Sequence, residues 1–350
     1  MTRRMRAAVL HGREDVRVEV VELLPLEPGE LLLRTRAALT CGTDVKVFRR
    51  GYHARMLKPP ALFGHEIAGV VEEVGTAVAG LRPGDRVVVA NSAPCGACPS
   101  CRDDREGLCD DLLFWNGAYA EFARIPARIV AKNVVPLDPG VDFRKAAMAE
   151  PLACALRGIE QSEVEAGQTV AVIGAGPIGL MLLVLARLRG ADVIVVGRNA
   201  SRLDKARALG ACEVIDASAH ADVAKPLRQR GRGGQGPDVV IEAAGLAETA
   251  EAAIRAVRKG GLVNLFAGWP ADAKVALDAL RMHYEELTVT SAFHHSPASF
   301  RAAYRLIAEG AIDPGHFITG AAPLEAVPEV LRRMATGGDG LKTAILPWGE

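Results

Sequence analysis

The sequence has no excess of charge of either sign: its 350 residues carry 42 Lys and Arg against 42 Asp and Glu. A protein that grips nucleic acid draws most of its affinity from neutralised phosphates and shows a basic surplus or patch. The short Arg3-Arg4-Met5-Arg6 start does not supply one, so a nucleic-acid partner is not expected. The chain also lacks a long apolar run. The longest, Ile178 to Ala186, stops at Arg187 and is about half of what a bilayer span requires. Ala7 to Leu10, after the basic start, is too short for a secretory signal. A cytoplasmic protein with no membrane partner is expected. No long-period internal repeat is present.

What is there suits a globular protein: 49% of residues are apolar and 24% charged. The length exceeds what one core usually needs, so two domains are expected. Residues 1 to about 150 read as β-rich. Val16, Val18 and Val20 alternate with charged residues, and Leu31, Leu33 and Thr35 do so after a Pro28-Gly29 turn. Beyond them strands alternate with helices. The pattern predicts strand Thr169–Ile173, helix Pro177–Arg189, strand Val193–Val196, helix Ser201–Leu209 and strand Glu213–Ile215. It continues with helix Ala219–Arg230, strand Val239–Glu242, helix Glu248–Val257, and strands Leu262–Leu265 and Leu287–Ser291. Such a series makes an α/β doubly wound parallel sheet.

Gly174-Ala175-Gly176-Pro177-Ile178-Gly179 is a G-x-G-x-x-G match between an apolar strand and an apolar helix. The first glycine permits the tight turn, the second a close approach by pyrophosphate, and the third close helix–sheet packing. The helix N-terminus then offers N–H groups to the anion. A carboxylate at the end of the next strand would grip a ribose 2′-hydroxyl, but that strand ends Val195-Val196-Gly197-Arg198-Asn199. Gly197 leaves room for a 2′-phosphate, and Arg198 with Arg202 could pair with it. NADP(H) is therefore favoured over NAD(H).

Cys95, Cys98, Cys101 and Cys109 put four thiols within fifteen residues, with Pro94, Gly96 and Pro99 letting the chain curl round a tetrahedral ion. Four protein ligands leave no open position, so this zinc is structural. The neighbouring Asp103, Asp104, Asp110 and Asp111 argue against phosphate contact. Elsewhere Cys41, His65, Glu66 and Glu150 are candidate ligands that no spacing rule joins, and Cys212 reads as a small buried hydrophobe.

Gly64-His65-Glu66-x2-Gly69-x5-Gly75-x2-Val78 resembles the zinc-alcohol-dehydrogenase signature of the medium-chain dehydrogenase superfamily. Cys41-Gly42-Thr43-Asp44, the four-cysteine lobe, Gly84-Asp85-Arg86-Val87 and the glycine motif follow in the family order. The resemblance implies a GroES-like catalytic domain over residues 1–153 and 293–350, with a zinc lobe at about 91–112, and a Rossmann domain over 154–292. It implies Cys41, His65 and Glu150 as catalytic-zinc ligands, with Glu66 as an adjacent ligand or supporting carboxylate. Glu150-Pro151-Leu152 is similar to the form found in sorbitol and other polyol dehydrogenases; Cys154, four residues on, is a conceivable substitute ligand. Two zinc ions per chain follow, one catalytic and one structural.

The reaction implied is hydride transfer between a secondary alcohol and the nicotinamide, with zinc polarising the substrate oxygen and the Thr43 hydroxyl relaying the proton. Lys46 stands where polyol dehydrogenases often have histidine, so it reads either as part of the proton route or as a surface lysine. Phe114 and Trp115 are candidate pocket walls. His294, with His295, falls where the family places polar groups near substrate, or in a solvated turn. Lys342 falls where a basic residue reaches the cofactor phosphates. A polyol, cyclitol or sugar-like substrate is expected, in a homotetramer or homodimer. A simple alcohol or L-threonine dehydrogenase and a cofactor-binding protein without turnover are the alternatives.

Overall fold

Alternation of Val16, Val18 and Val20 with charged residues does produce a strand, Asp15–Glu22, antiparallel to Arg4–Gly12. Val16 is buried, whereas Val20 near the far end is exposed. The computed structural model describes residues 3–270, 272–338 and 340–349. The chain divides into two compact units, residues 1–153 with 295–350, and residues 154–294.

In the first unit the pivot is the strand Leu31–Leu39. It runs antiparallel to Glu66–Val74 on one side. On the other it pairs with Phe122–Ile125 at its start and with Lys342–Leu346 at its end. Leu31, Leu33, Ile67, Val71, Val87, Val89, Ile125 and Ile345 pack in one buried cluster. The last rungs matter most for the chemistry. Leu39 faces Glu66 on one neighbour and Ala344 on the other. The residues just past Leu39, namely Thr40 and Cys41, are thereby delivered beside His65 and beside Lys342.

The second unit is a six-stranded sheet, parallel throughout. Its order is Glu213–Asp216, Asp192–Gly197, Thr169–Ile173, Val239–Glu242, Leu262–Leu265 and Thr288–Thr290. Counted along the chain this is 3-2-1-4-5-6, the order of a dinucleotide-binding sheet with its crevice where the direction reverses.

Two expectations fail here. The helix expected over Ala219–Arg230 is a short one, Ala224–Arg228, preceded by a single turn at Ala217–Ala219. Asp216 accepts from Ser218 N at 2.9 Å and Asp222 from Ala224 N at 3.0 Å. These local side-chain bonds compete with a continuous helix. Cys212 is exposed rather than buried. It lies just ahead of Glu213–Asp216, the edge strand of the sheet, where no neighbour covers that side. Among the described residues no helix is long and apolar enough to cross a membrane.

Candidate active site

Cys41 ends the pivot segment and serves as N-cap of the helix Gly42–Arg50. Asp44, in the first turn of that helix, accepts a hydrogen bond from Cys41 N at 2.9 Å, satisfying a donor that the helix start would leave unpaired. Its other oxygen, Oδ1, lies 3.1 Å from His65 Nδ1. With Nδ1–H donating to the carboxylate, His65 Nε2 is left with its lone pair free for a metal. The ligand atoms of Cys41, His65 and Glu66 lie within 4.8 Å of one another. A thiolate, an imidazole and a carboxylate so gathered suit zinc.

The electrostatics agree with that reading. Burial pushes the Cys41 thiol up, but the Lys342 ammonium and His65 pull harder and bring it to about 7. Burial opposes charge on His65, yet Asp44 and Cys41 together outweigh it, so the ring titrates well above its usual value. An entering cation would displace protons from both groups.

Lys342 departs from expectation. It is 3% exposed. Its Nζ donates to Glu66 Oε1 at 2.6 Å, Glu66 Oε2 at 2.7 Å and the Thr40 carbonyl at 2.8 Å. An ammonium has three donors, and all three are occupied. None remains for a cofactor phosphate. Burial lowers its pKa, but Glu66, Cys41 and Glu150 together raise it further, and the group stays charged.

Glu150 is in the first turn of the helix Ala149–Gln161 and is buried. It stands outside the tight trio among the described residues, though His65 and Glu66 both act on its charge. Its Oε1 is 3.8 Å from His295 Nε2, which in turn lies 3.1 Å from Asn91 Oδ1. Within the first unit it is thus His295 that stands by the glutamate. His294 ends the second unit with a left-handed φ of 61°.

The other expected residues fall variously. Thr43 is half-buried in the first turn of the Cys41 helix, and Lys46 is exposed on it. Trp115 packs in the core, its Nε1 donating to the Arg124 carbonyl at 2.9 Å. Phe114 is half-buried and pairs with Ser92. The four lobe cysteines offer sulfurs within 4.8 Å of one another. Ala97 N and Cys98 N each donate to Cys95 Sγ at 3.3 Å and bring that thiol to about 6.

In the second unit Gly176 caps the helix Pro177–Leu188, and a Cβ there would meet open space. That is the room an approaching pyrophosphate needs. A Cβ on Gly179 would sit 1.7 Å from the Gly174 carbonyl oxygen, so the third glycine closes the turn on itself. Gly197 has a packing reason of its own, since a Cβ there would lie 2.7 Å from Ala175 Cβ. Arg198 is exposed and Arg202 half-buried, with Arg202 N bonded to the Asn199 cap at 3.0 Å. The residues suit a dinucleotide.

Asp44, Tyr119, Asn91 and Glu242 had no assigned role in the sequence. Asp44 is the exception in having a signal, because it closes the Cys41-Gly42-Thr43-Asp44 motif.

Comparison with known proteins matches this geometry. The family described as alcohol dehydrogenase GroES-like domain matches residues 27–137, and that described as zinc-binding dehydrogenase matches residues 177–309. The protein named "Probable D-xylulose reductase A" in Neosartorya fischeri is 30% identical over 347 residues, covering 96% of this chain and 95% of that one. Sorbitol dehydrogenase of Bacillus subtilis is 26% identical over 352 residues, covering 98% and 97%. A structure described as a zinc-binding dehydrogenase of Sinorhizobium meliloti, bound to NADP, has a TM-score of 0.88 and 32% identity. The match covers 99% of this chain and 100% of that one.

Two outcomes are expected. Zinc affinity at Cys41 and His65 should fall as pH falls, by about tenfold per unit for each proton regained. The fall should steepen below about 7, where the Cys41 thiol reprotonates; chelator competition across pH measures it, and a flat profile would contradict the ligand assignment. Gly179→Ala should abolish NADPH binding in a fluorescence titration, because the added methyl collides with backbone that has nowhere to move. Native affinity in that variant would refute the turn as the cofactor site.

Proposed function

The chain belongs to the zinc-binding dehydrogenase family with its GroES-like alcohol dehydrogenase domain, and we propose that its substrate is a polyol, cyclitol or sugar-like secondary alcohol. It is an oxidoreductase that exchanges hydride between a secondary alcohol and a nicotinamide cofactor. The observation that carries this reading is the gathering of Cys41, His65 and Glu66 donor atoms at the foot of the helix bearing Thr43. Support for the substrate class comes from relatives named for D-xylulose and sorbitol, and from the resemblance of Glu150-Pro151-Leu152 to the polyol dehydrogenase form.

Two zinc ions per chain are proposed, one on Cys41, His65 and Glu150 with Glu66 adjacent, and one on Cys95, Cys98, Cys101 and Cys109. Zinc and nicotinamide supply, when bound, polarisation of the substrate oxygen and acceptance of the hydride. The residues of the chain do the rest. Asp44 keeps the Nδ1 proton on His65 and so directs Nε2 at the metal position. Lys342 neutralises Glu66, so the site does not carry two uncompensated acids. The Thr43 hydroxyl takes the proton from the substrate hydroxyl as it passes its own on toward water. Lys46 stands exposed beside that route, one turn along the same helix.

NADP(H) is proposed over NAD(H). The second strand of the nucleotide-binding sheet ends at Gly197 with no carboxylate to bond a 2′-hydroxyl. Arg198 is exposed there, and no described residue pairs with its guanidinium. The seven cysteines are all free thiols, which suits a reducing, cytoplasmic compartment. A homotetramer or homodimer is proposed from the family resemblance.

Initial rates across polyols, cyclitols, threonine and simple alcohols, each with NADP and NAD, test the activity. The expected result is turnover of a polyol or cyclitol with NADP. Turnover of threonine or a simple alcohol alone would replace the substrate class, and silence with both zinc sites loaded would favour a cofactor-binding protein. Arg198→Ala should weaken NADPH binding about tenfold or more, the scale of a lost charge-assisted bond, while leaving NADH nearly unchanged. Equal losses for both cofactors would remove Arg198 from the 2′-phosphate role.

A further inference from the structure

Tyr119 is fully buried, in a core where a phenylalanine would fill the same space without the desolvation of a hydroxyl. Its hydroxyl has a definite destination. The phenol oxygen lies 2.5 Å from Asp44 Oδ2 and 3.1 Å from the Leu39 carbonyl oxygen. Cys41 N donates to the same Asp44 Oδ2 at 2.9 Å. Two donors on one oxygen fix the rotation of the carboxylate, and they leave Oδ1 to His65 Nδ1 at 3.1 Å.

The ring is held as firmly as the hydroxyl. Tyr119 N donates to the Phe63 carbonyl at 2.9 Å, and the Phe63 ring meets it edge-on at 6.0 Å. Gly64, at a φ of +86°, lies so close that a Cβ there would sit 2.7 Å from the Tyr119 ring. Phe63 and Gly64 are the residues immediately before His65. One side chain therefore touches the segment that carries the imidazole and the carboxylate that orients it. We infer that Tyr119 is a positioning residue for the Cys41–His65 metal site, acting through Asp44. The inference rests on reading that site as a zinc site. Deleting the hydroxyl frees Asp44 to turn, and the imidazole loses its fixed direction without any ligand being lost.

The test uses the full chain loaded with zinc, in four forms: wild type, Tyr119→Phe, Asp44→Asn and the double variant. Chelator competition reads the affinity of each ion, and the four-cysteine ion serves as an internal reference. Partners one step behind a metal ligand usually set ten- to a hundredfold in metal affinity. Tyr119→Phe should accordingly weaken the Cys41–His65 ion about tenfold, and leave the four-cysteine ion and the far-ultraviolet circular dichroism unchanged. In the Asp44→Asn background the same change should have no further effect. An equal loss in both backgrounds would overturn the inference, because the hydroxyl would then act by packing. So would loss of both ions together, which would make the hydroxyl a requirement of the fold. A two-ion wild type indifferent to Tyr119→Phe overturns the inference alone. A wild type that binds a single ion overturns the zinc reading, and the inference with it.

Discussion

A carboxylate taken out of water must find donors for both oxygens, and Asp44, 1% exposed, finds them in Cys41 N, Tyr119 and His65. Three separate pieces of chain meet there: the end of the pivot strand, the segment before Glu66, and the stretch that leads into Phe122–Ile125. As a helix cap alone Asp44 would be worth about 1 kcal/mol. As the partner of a buried histidine and a buried phenol it matters more, since breaking a buried charged network costs about 3–5 kcal/mol. The larger effect governs. The site's geometry is therefore tied to the stability of the whole first unit, and it is not an ornament on a loop.

The second buried charge in this unit explains why its chain returns so late. Lys342 and Glu66 are 276 positions apart, yet the ammonium bridges both carboxylate oxygens and the Thr40 carbonyl. Thr40 and Thr343 are further joined by Thr40 N to the Thr343 carbonyl at 3.1 Å and Thr343 N to Thr40 Oγ1 at 2.9 Å. Without the strand Lys342–Leu346, Glu66 would be a buried acid beside a thiolate with only His65 to balance it. The strand Lys342–Leu346 thus completes the electrostatics of a site whose Cys41, His65 and Glu66 donors lie near the beginning of the chain.

Much of the architecture was legible because it is written in short-range patterns. A period of two announced the early strands, and the glycine motif between strand and helix announced the nucleotide-binding turn. Four cysteines in fifteen residues announced the lobe in which their sulfurs gather. Cys41, His65 and Glu150 became a set only by family resemblance, since nothing in their spacing joins them. Tyr119 and Asp44 are 75 positions apart, and only the pairing of strands brings them together. The same holds for Lys342: a basic residue at that position reads as a phosphate ligand until its acidic partner, Glu66, is seen. The broken helix after Asp216 was missed for a different one. There the local bonds of Asp216 and Asp222 overrode a helical pattern that was otherwise present.

The second unit solves its own problem by the same physical device. Glu242 ends the strand Val239–Glu242 and is fully buried. Its Oε1 accepts from Ala244 N, Gly245 N and the Thr249 hydroxyl, each at 2.8 Å. The turn so held lies against the nucleotide-binding loop, for a Cβ on Gly174 would meet the Ala243 carbonyl carbon at 2.9 Å. An amide side chain could accept some of these bonds, but its NH2 would bring donors into a place already crowded with them. A carboxylate offers acceptors only. Each unit has an acid where a strand gives way to a functional segment, because several donors converge there and water cannot reach them.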